Sequence, residues 1–389
     1  MGTLTTLRTD IATPTDVLEG GRRMAPAIAA RAAEIEAARR VPGDLLDELI
    51  AVGAFRVLRP RSHGGLEADL SDAMRVYEAF ATADASVAWT VLIGSGTWCD
   101  LASLPRAAFD EVFSAPDAIT AGVFSPSGSI AADDGGYRVS GRWSFASGCE
   151  HADWIYGNCI EGVVDGVPQM RMAVFSPDQV VIEDTWTVSG LCGTGSHHFH
   201  VDSALVPAER TLVPLVDPPC VDVPLVRIPI PSLIALVVAS VAVGVARGAL
   251  DDVVALAADK VPLLDHAVLA ANPVFQLQLG EAEAELAAAR ALIHETAEAA
   301  WDAAASGGEF TLRDRARMRA AAVWATERAA DVVRGAYRAG GGGSIYAASP
   351  LQRRLRDIDA VTQHFIVRRD TLITAGAILA GQDVDVMVF

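Results

Sequence analysis

Asp133-Asp134-Gly135-Gly136-Tyr137-Arg138-Val139-Ser140-Gly141-Arg142-Trp143 is the stretch on which the fold turns. Its Asp-Gly-Gly core supplies the positive φ angles of a tight hairpin, and the residues after it alternate like a strand. Working outward, further strand candidates fall at Ala152–Cys159, Met170–Phe175, Val180–Trp186 and His197–Val201, with turns at Asp165-Gly166 and Ser176-Pro177-Asp178. Both flanks carry helical periodicity instead. The chain therefore reads as mostly α with a small central β domain over residues 121–215, a barrel or two packed sheets. An N-terminal helical domain spans 14–120 and a C-terminal four-helix bundle spans 216–389.

In the first flank, Pro26–Arg40 and Pro42–Val52 fit a helix, and Arg59–Gly65 is a loop. Helices follow over Leu70–Ala81 and Ala85–Leu104, the second capped by Asp84 or Ser86, and Pro105 opens another. In the second flank, Leu233–Leu250 is apolar enough to span a bilayer. Arg247 inside it, frequent Ala and Gly, and the Asp251-Asp252 pair after it favour a buried helix. Leu277–Ala305 stops at Gly307-Gly308, and Leu312–Ala339 stops at Gly340-Gly341-Gly342-Gly343. The last helix runs from Pro350 to about Leu379, its register bringing Asp357, His364 and residues near 368 onto related turns. Arg353-Arg354-Leu355-Arg356 in it is either a solvated face or a contact to a cofactor phosphate or neighbouring subunit.

Apolar residues make up 51% of the 389, enough for a large core, and a net charge of −18 disfavours nucleic acid and anionic membranes as partners. The five cysteines are odd in number and widely spaced, which argues against a disulfide scaffold. No basic-apolar leader pattern is visible at the start of the sequence.

Several strings together resemble the acyl-CoA dehydrogenase superfamily. They are Pro60-Arg61-Ser62-His63-Gly64-Gly65, Ala85-Ser86-Val87-Ala88-Trp89, the hairpin above, Gly190-Leu191-Cys192-Gly193-Thr194-Gly195-Ser196, and Gly340–Gly343 followed by Pro350–Asp357. Within that superfamily, Trp143-Ser144-Phe145-Ala146-Ser147-Gly148-Cys149-Glu150-His151-Ala152-Asp153-Trp154 resembles two-component flavin monooxygenases, as does Arg356–His364. Common dehydrogenases carry a catalytic glutamate just beyond this point, where Phe365-Ile366-Val367 stands here.

The resemblance implies an acyl-CoA dehydrogenase-like fold and the oxygenase subunit of a two-component monooxygenase. Such a subunit takes externally reduced FMN or FAD, with FMN preferred, and forms a C4a-hydroperoxide with O2. It hydroxylates a small aromatic, polyketide-like or heterocyclic metabolite. It also implies a separate NAD(P)H-dependent flavin reductase, a homotetramer and a cytoplasmic location. The competing readings are a flavin-dependent dehydrogenase or oxidase, and an N-hydroxylase.

By the same resemblance, Ser147 is the flavin-side serine, whose hydroxyl suits N5, and His364 is the acid/base group or the group that steadies a peroxide. Trp143 and Phe145 are flavin-wall candidates, while Thr194 and Ser196 lie in a Gly-rich loop suited to a ribityl chain or phosphate. Gly341, Gly342 and Arg356 complete the cofactor set. Ser95, Thr97, Trp98, Cys192 and His364 are the substrate-side candidates. Phenol-hydroxylating relatives place a histidine near Gly96 or Thr97, and an arginine at the position of Cys192. The small neutral residues here point to an uncharged cavity. His197, His198 and His200 lack the geometry of a metal set, His197 facing away from the other two, so no metal site is expected.

Overall fold

Helices with capped first turns and apolar faces fold the N-terminal flank. The computed structural model describes residues 13–384; the opening stretch read for a leader lies outside them. The elements are α1 (Pro14–Ala30), α2 (Ala32–Ala38), α3 (Gly43–Ala51), α4 (Leu70–Ala83), α5 (Ala85–Gly96), α6 (Trp98–Leu101) and α7 (Arg106–Val112). α1 starts at Pro14, not at Pro26, because Thr13 and Asp16 form a reciprocal capping box with Pro14 in the first turn. Pro26 lies inside this helix. The helix expected over Ala85–Leu104 divides at Thr97, whose hydroxyl bonds back to the Ile93 carbonyl just after Gly94 and Gly96.

The central region holds β1 (Thr120–Asp133), β2 (Gly136–Trp143), β3 (Trp154–Val164), β4 (Val167–Phe175), β5 (Val181–Glu183), β6 (His198–Pro207) and β7 (Thr211–Leu212). They form one sheet in the order β5-β6-β2-β1-β3-β4-β7, where the sequence left a barrel or two sheets open. β1 pairs antiparallel with β2 through the expected hairpin and parallel with β3. β1 itself was not legible: it is rich in Gly, Ser and Ala and contains Pro126. Its pairing with β3 breaks between Val123 and Gly128, leaving a bulge beside the end of β2. The sheet curls, so Phe175 of β4 lies 6.5 Å from Phe199 of β6 across three intervening strands.

Trp143 fills that curl. It is fully buried, stacks on Phe199 at 4.8 Å and donates from Nε1 to the Asn158 carbonyl at 2.7 Å. Gly128, Gly141 and Gly157 surround its ring so closely that a Cβ on any of them would fall 2.3–2.6 Å from a heavy atom.

The C-terminal flank comprises α8 (Ile230–Asp259), α9 (Pro273–Ala305), α10 (Leu312–Gly340), α11 (Pro350–Thr362) and α12 (Thr371–Leu379). α8 is apolar all round, which demands burial on every side. It is the one helix among the described residues long and apolar enough to cross a membrane, and 89% of its apolar window is buried inside the chain. α4, α5, α9, α10 and α11 pack around it. The single last helix expected from Pro350 to Leu379 is instead broken after Thr362. His364 takes an extended backbone (φ −66°, ψ 128°), its Nδ1 accepts the Ile366 N–H at 3.4 Å, and Arg319 reaches the Ile366 carbonyl. The arginines of α11 point neither to solvent nor to an open site. Arg354 is buried against Asp252 and the carbonyls of Ala81 and Thr82, and Arg353 lies 4.0 Å from Asp84.

Gly157→Val places a side chain against the Trp143 indole, and overpacking of this kind costs about 1–3 kcal/mol. Urea denaturation of the two proteins should show a lowered midpoint with an unchanged slope.

Candidate active site

The loop after β2 and the Gly-rich loop at residues 190–197 each contain a single 3-10 turn, Cys149–His151 and Cys192–Thr194, in otherwise irregular backbone, and each holds the other. Ala146 N–H donates to the His197 carbonyl at 3.0 Å, and Gly148 N–H to the Thr194 carbonyl at 2.9 Å. The Gly-rich loop is also tied to helices. Gly193 N–H donates to Ser86 Oγ at 3.1 Å, and Leu191 N–H to Asp357 Oδ1 at 2.7 Å. Gly190 is pressed against α11, where a Cβ would lie 2.0 Å from the Arg356 carbonyl oxygen. Asp84 caps α5 through the N–H groups of Ser86 and Val87 at 2.9 and 3.1 Å.

This scaffold brings Ser147, Trp89 and His364 together from three elements. Trp89 Nε1 donates to Ser147 Oγ at 3.1 Å, and its ring lies edge-on to His364 at 5.4 Å. Ser147 Oγ is 2.8 Å from Ser196 Oγ, Ser196 Oγ is 2.7 Å from Thr194 Oγ1, and Thr194 donates to the Leu191 carbonyl at 2.8 Å. His364 is half-buried, with Phe365 5.0 Å away. Burial pushes its pKa down to about 4, so the ring is neutral at neutral pH. With Nδ1 accepting from backbone, the neutral ring carries its proton on Nε2 and presents a donor.

Beneath this group lie two buried carboxylates, Asp84 and Asp357. Burial, then the Asp84 charge, raises the Asp357 carboxyl to about 7; the Leu191 N–H and the arginines of α11 oppose the rise. Burial likewise raises Asp84, with Arg353 opposing.

Several other predicted residues lie elsewhere. Ser95 bonds Tyr77 at 2.8 Å, Thr97 bonds Thr120, and Trp98 is buried against Phe109, so all three belong to the core at the far end of α5 from Trp89. Trp143 faces the sheet interior and presents no cavity wall. Arg356 is occupied by Glu36, Gln352 and the Ser189 carbonyl. Cys192 lies in the same loop as Thr194, its thiol bonding the Val188 carbonyl at 3.3 Å. Gly341 and Gly342 precede α11 while His364 follows it, so about 20 Å of helix separates them. His197 accepts from Thr185 and Trp186, and His200 pairs with Glu183, so these histidines serve separate contacts. Two features were missed. Trp89 stands in the sequence as part of a small-residue string, and a large aromatic in an otherwise small-residue turn is its signal. The bulge at residues 124–127 had no signal, since its strand was not recognised.

The residues fit a flavin. Phe145 is held at φ 69° and is 69% exposed, with its ring edge-on to Trp186 and His198, a large aromatic residue left mostly uncovered. His198 Nδ1 is buried without a hydrogen-bond partner. Ser147, half-buried, is the member of the hydroxyl chain that reaches the surface.

Residues 22–104 match the family described as acyl-CoA dehydrogenase, N-terminal domain, and 236–369 match its C-terminal domain. An indole-3-acetate monooxygenase from Pseudomonas putida is 32% identical over 354 residues, which cover 91% of this chain and 90% of that protein. The chain belongs to the two-component flavin monooxygenases of acyl-CoA dehydrogenase fold. Among solved structures, XiaF from Streptomyces sp. in complex with FADH2 and glycerol superposes on this oxygenase with a TM-score of 0.88 at 26% identity, covering 95% of this chain and 96% of that one. 3-HSA hydroxylase from Rhodococcus sp. RHA1 gives 0.87 at 26% identity, covering 95% and 98%. The oxygenase uses reduced flavin and O2, and as one component of two it depends on a separate flavin reductase.

Asp357 yields a pH prediction. Its folded carboxyl keeps a proton that the unfolded chain releases from about pH 4 upward, so this contribution to stability falls as pH rises from about 4 to about 7. Asp357→Asn keeps an acceptor for Leu191 N–H without the charge. The stability difference between variant and parent should therefore move in favour of the variant by on the order of 1–2 kcal/mol across that window, read from urea unfolding at pH 5 and pH 8.

Proposed function

We propose that this oxygenase inserts one oxygen atom into a small bicyclic aromatic or heterocyclic compound of indole type, with Ser147 holding the flavin and His364 placed to donate a hydrogen bond beside it. The observation that carries this reading is the convergence of Ser147, Trp89 and His364, with a histidine kept neutral by burial and, among the described residues, no carboxylate hydrogen-bonded to it. Reduced flavin, when bound, supplies the electrons that activate O2. Ser147 orients the ring edge. His364 Nε2–H offers a donor to an oxygen at that edge, a role suited to a neutral imidazole. Trp89 and Phe365 flank it with apolar surface and keep water away from the reacting atoms.

The name of the Pseudomonas relative supports the indole class. Arg353, Arg354 and Arg356 are spent on intramolecular carboxylates or carbonyls, so the arginines of α11 are not the groups that receive the substrate. The FADH2 in the XiaF complex favours FAD as the working flavin, in place of the FMN expected from sequence. A homotetramer fits the exposed apolar residues Leu263, Leu264, Ile345, Tyr346 and Ile373, which need cover, and would bring Gly341 and Gly342 to a neighbour's cofactor. Five free cysteines fit a reducing, cytoplasmic setting.

The test is to mix the reduced-flavin complex with 18O2 and indole-type compounds and to follow labelled product and hydrogen peroxide. His364→Ala should lower product yield about a hundredfold and raise peroxide release, with flavin affinity nearly unchanged. Equal loss of flavin affinity and product would remove the assigned role.

A further inference from the structure

The hydroxyl chain at the site has a direction. Each hydroxyl has one proton to give. Thr194 gives its proton to the Leu191 carbonyl, which can only accept. The 2.7 Å contact between Thr194 and Ser196 is then made by the Ser196 proton, and the 2.8 Å contact between Ser196 and Ser147 by the Ser147 proton. Trp89 Nε1–H, a donor only, occupies one lone pair of Ser147. What Ser147 has left to offer outward is a second lone pair. Thr194, Ser196 and Trp89 are all buried, so solvent does not reset this order, and Ser147 alone reaches the surface.

A flavin changes its hydrogen-bonding character at N5 with oxidation state. Reduced, N5 carries a hydrogen and donates; oxidised, it carries only a lone pair and accepts. We propose that Thr194 and Ser196 fix Ser147 as an acceptor, so that this site selects reduced flavin over oxidised flavin. This rests on the proposed placement of Ser147 at the flavin edge. The two buried residues act through Ser147 and are positioning residues, not catalytic ones. The device suits a subunit that takes its flavin from a separate reductase: it retains the reduced form and releases the oxidised one, which faces Ser147 lone pair to lone pair.

The measurement is the ratio of dissociation constants for oxidised and reduced FAD, the latter titrated without oxygen, with a thermal melt on each protein. The parent should bind reduced FAD more tightly. Ser196→Ala removes the acceptor of the Ser147 proton and frees that proton to point outward, so the ratio should fall roughly tenfold, the worth of one hydrogen bond. Thr194→Val, nearly isosteric, removes the anchor at Leu191 and should shift the ratio the same way; it serves if Ser196→Ala fails to fold. Trp89→Phe removes a donor without freeing any proton on Ser147, so both affinities should change together and the ratio should hold. Equal affinities in the parent, an unchanged ratio in the folded Ser196 and Thr194 variants, or an equal fall in the Trp89 variant would overturn the inference while leaving the proposed function standing. Failure of the parent to bind either form would overturn both.

Discussion

A buried stretch of irregular backbone must have its polar groups met one by one, and residues 190–197 are such a stretch. No strand or helix partner is available to Leu191 and Gly193, so side chains supply the acceptors: Asp357 from α11 for the first and Ser86 from α5 for the second. Ser86 is itself positioned by Asp84, whose carboxylate caps the helix. The cost is two carboxylates buried near one another, partly offset by Arg353 at 4.0 Å from Asp84. Everything at the site hangs from this arrangement. The Gly-rich loop positions the loop after β2, and that loop carries Ser147.

Architecture was largely legible because it follows from periodicity and punctuation. The Gly135-Gly136 hairpin, the run of α8 and the stops at Gly307 and Gly340 all depend on local chemistry that a sequence displays directly. Where tertiary contacts overrule local preference, the reading failed. β1 is held between β2 and β3 although few of its residues favour a strand. The late helix breaks at Gln363 and His364 because Ile366 and Val367 turn into the core and Arg319 takes the Ile366 carbonyl. Nothing in residues 350–379 alone announces that.

The candidate site divided in the same way. Ser147, Thr194 and Ser196 meet because each sits in a string whose pattern is itself the loop geometry, while His364 joins them only through Trp89. Ser95, Thr97 and Trp98 were placed by their small or polar character next to an expected cavity, yet their partners are Tyr77, Thr120 and Phe109. A buried hydroxyl looks the same in sequence whether it bonds a ligand or a neighbouring side chain. Trp89 was overlooked for the converse reason: an indole on an apolar helix reads as core until its Nε1 finds a partner.

The nature of α8 has a consequence for synthesis. Its apolar window, with a mean hydropathy of 2.2, is covered in the finished chain chiefly by α4 on one side and α10 on another, and the ribosome makes α10 only after residue 311. While α9 is being translated, α4 and α5 are on hand to cover one side and the opposite side has no cover. For that interval the nascent chain presents a segment as apolar as a signal anchor. Transiently exposed apolar surface of this kind is what makes an incomplete chain prone to association, so burial of α8 is complete only once α10 has been made.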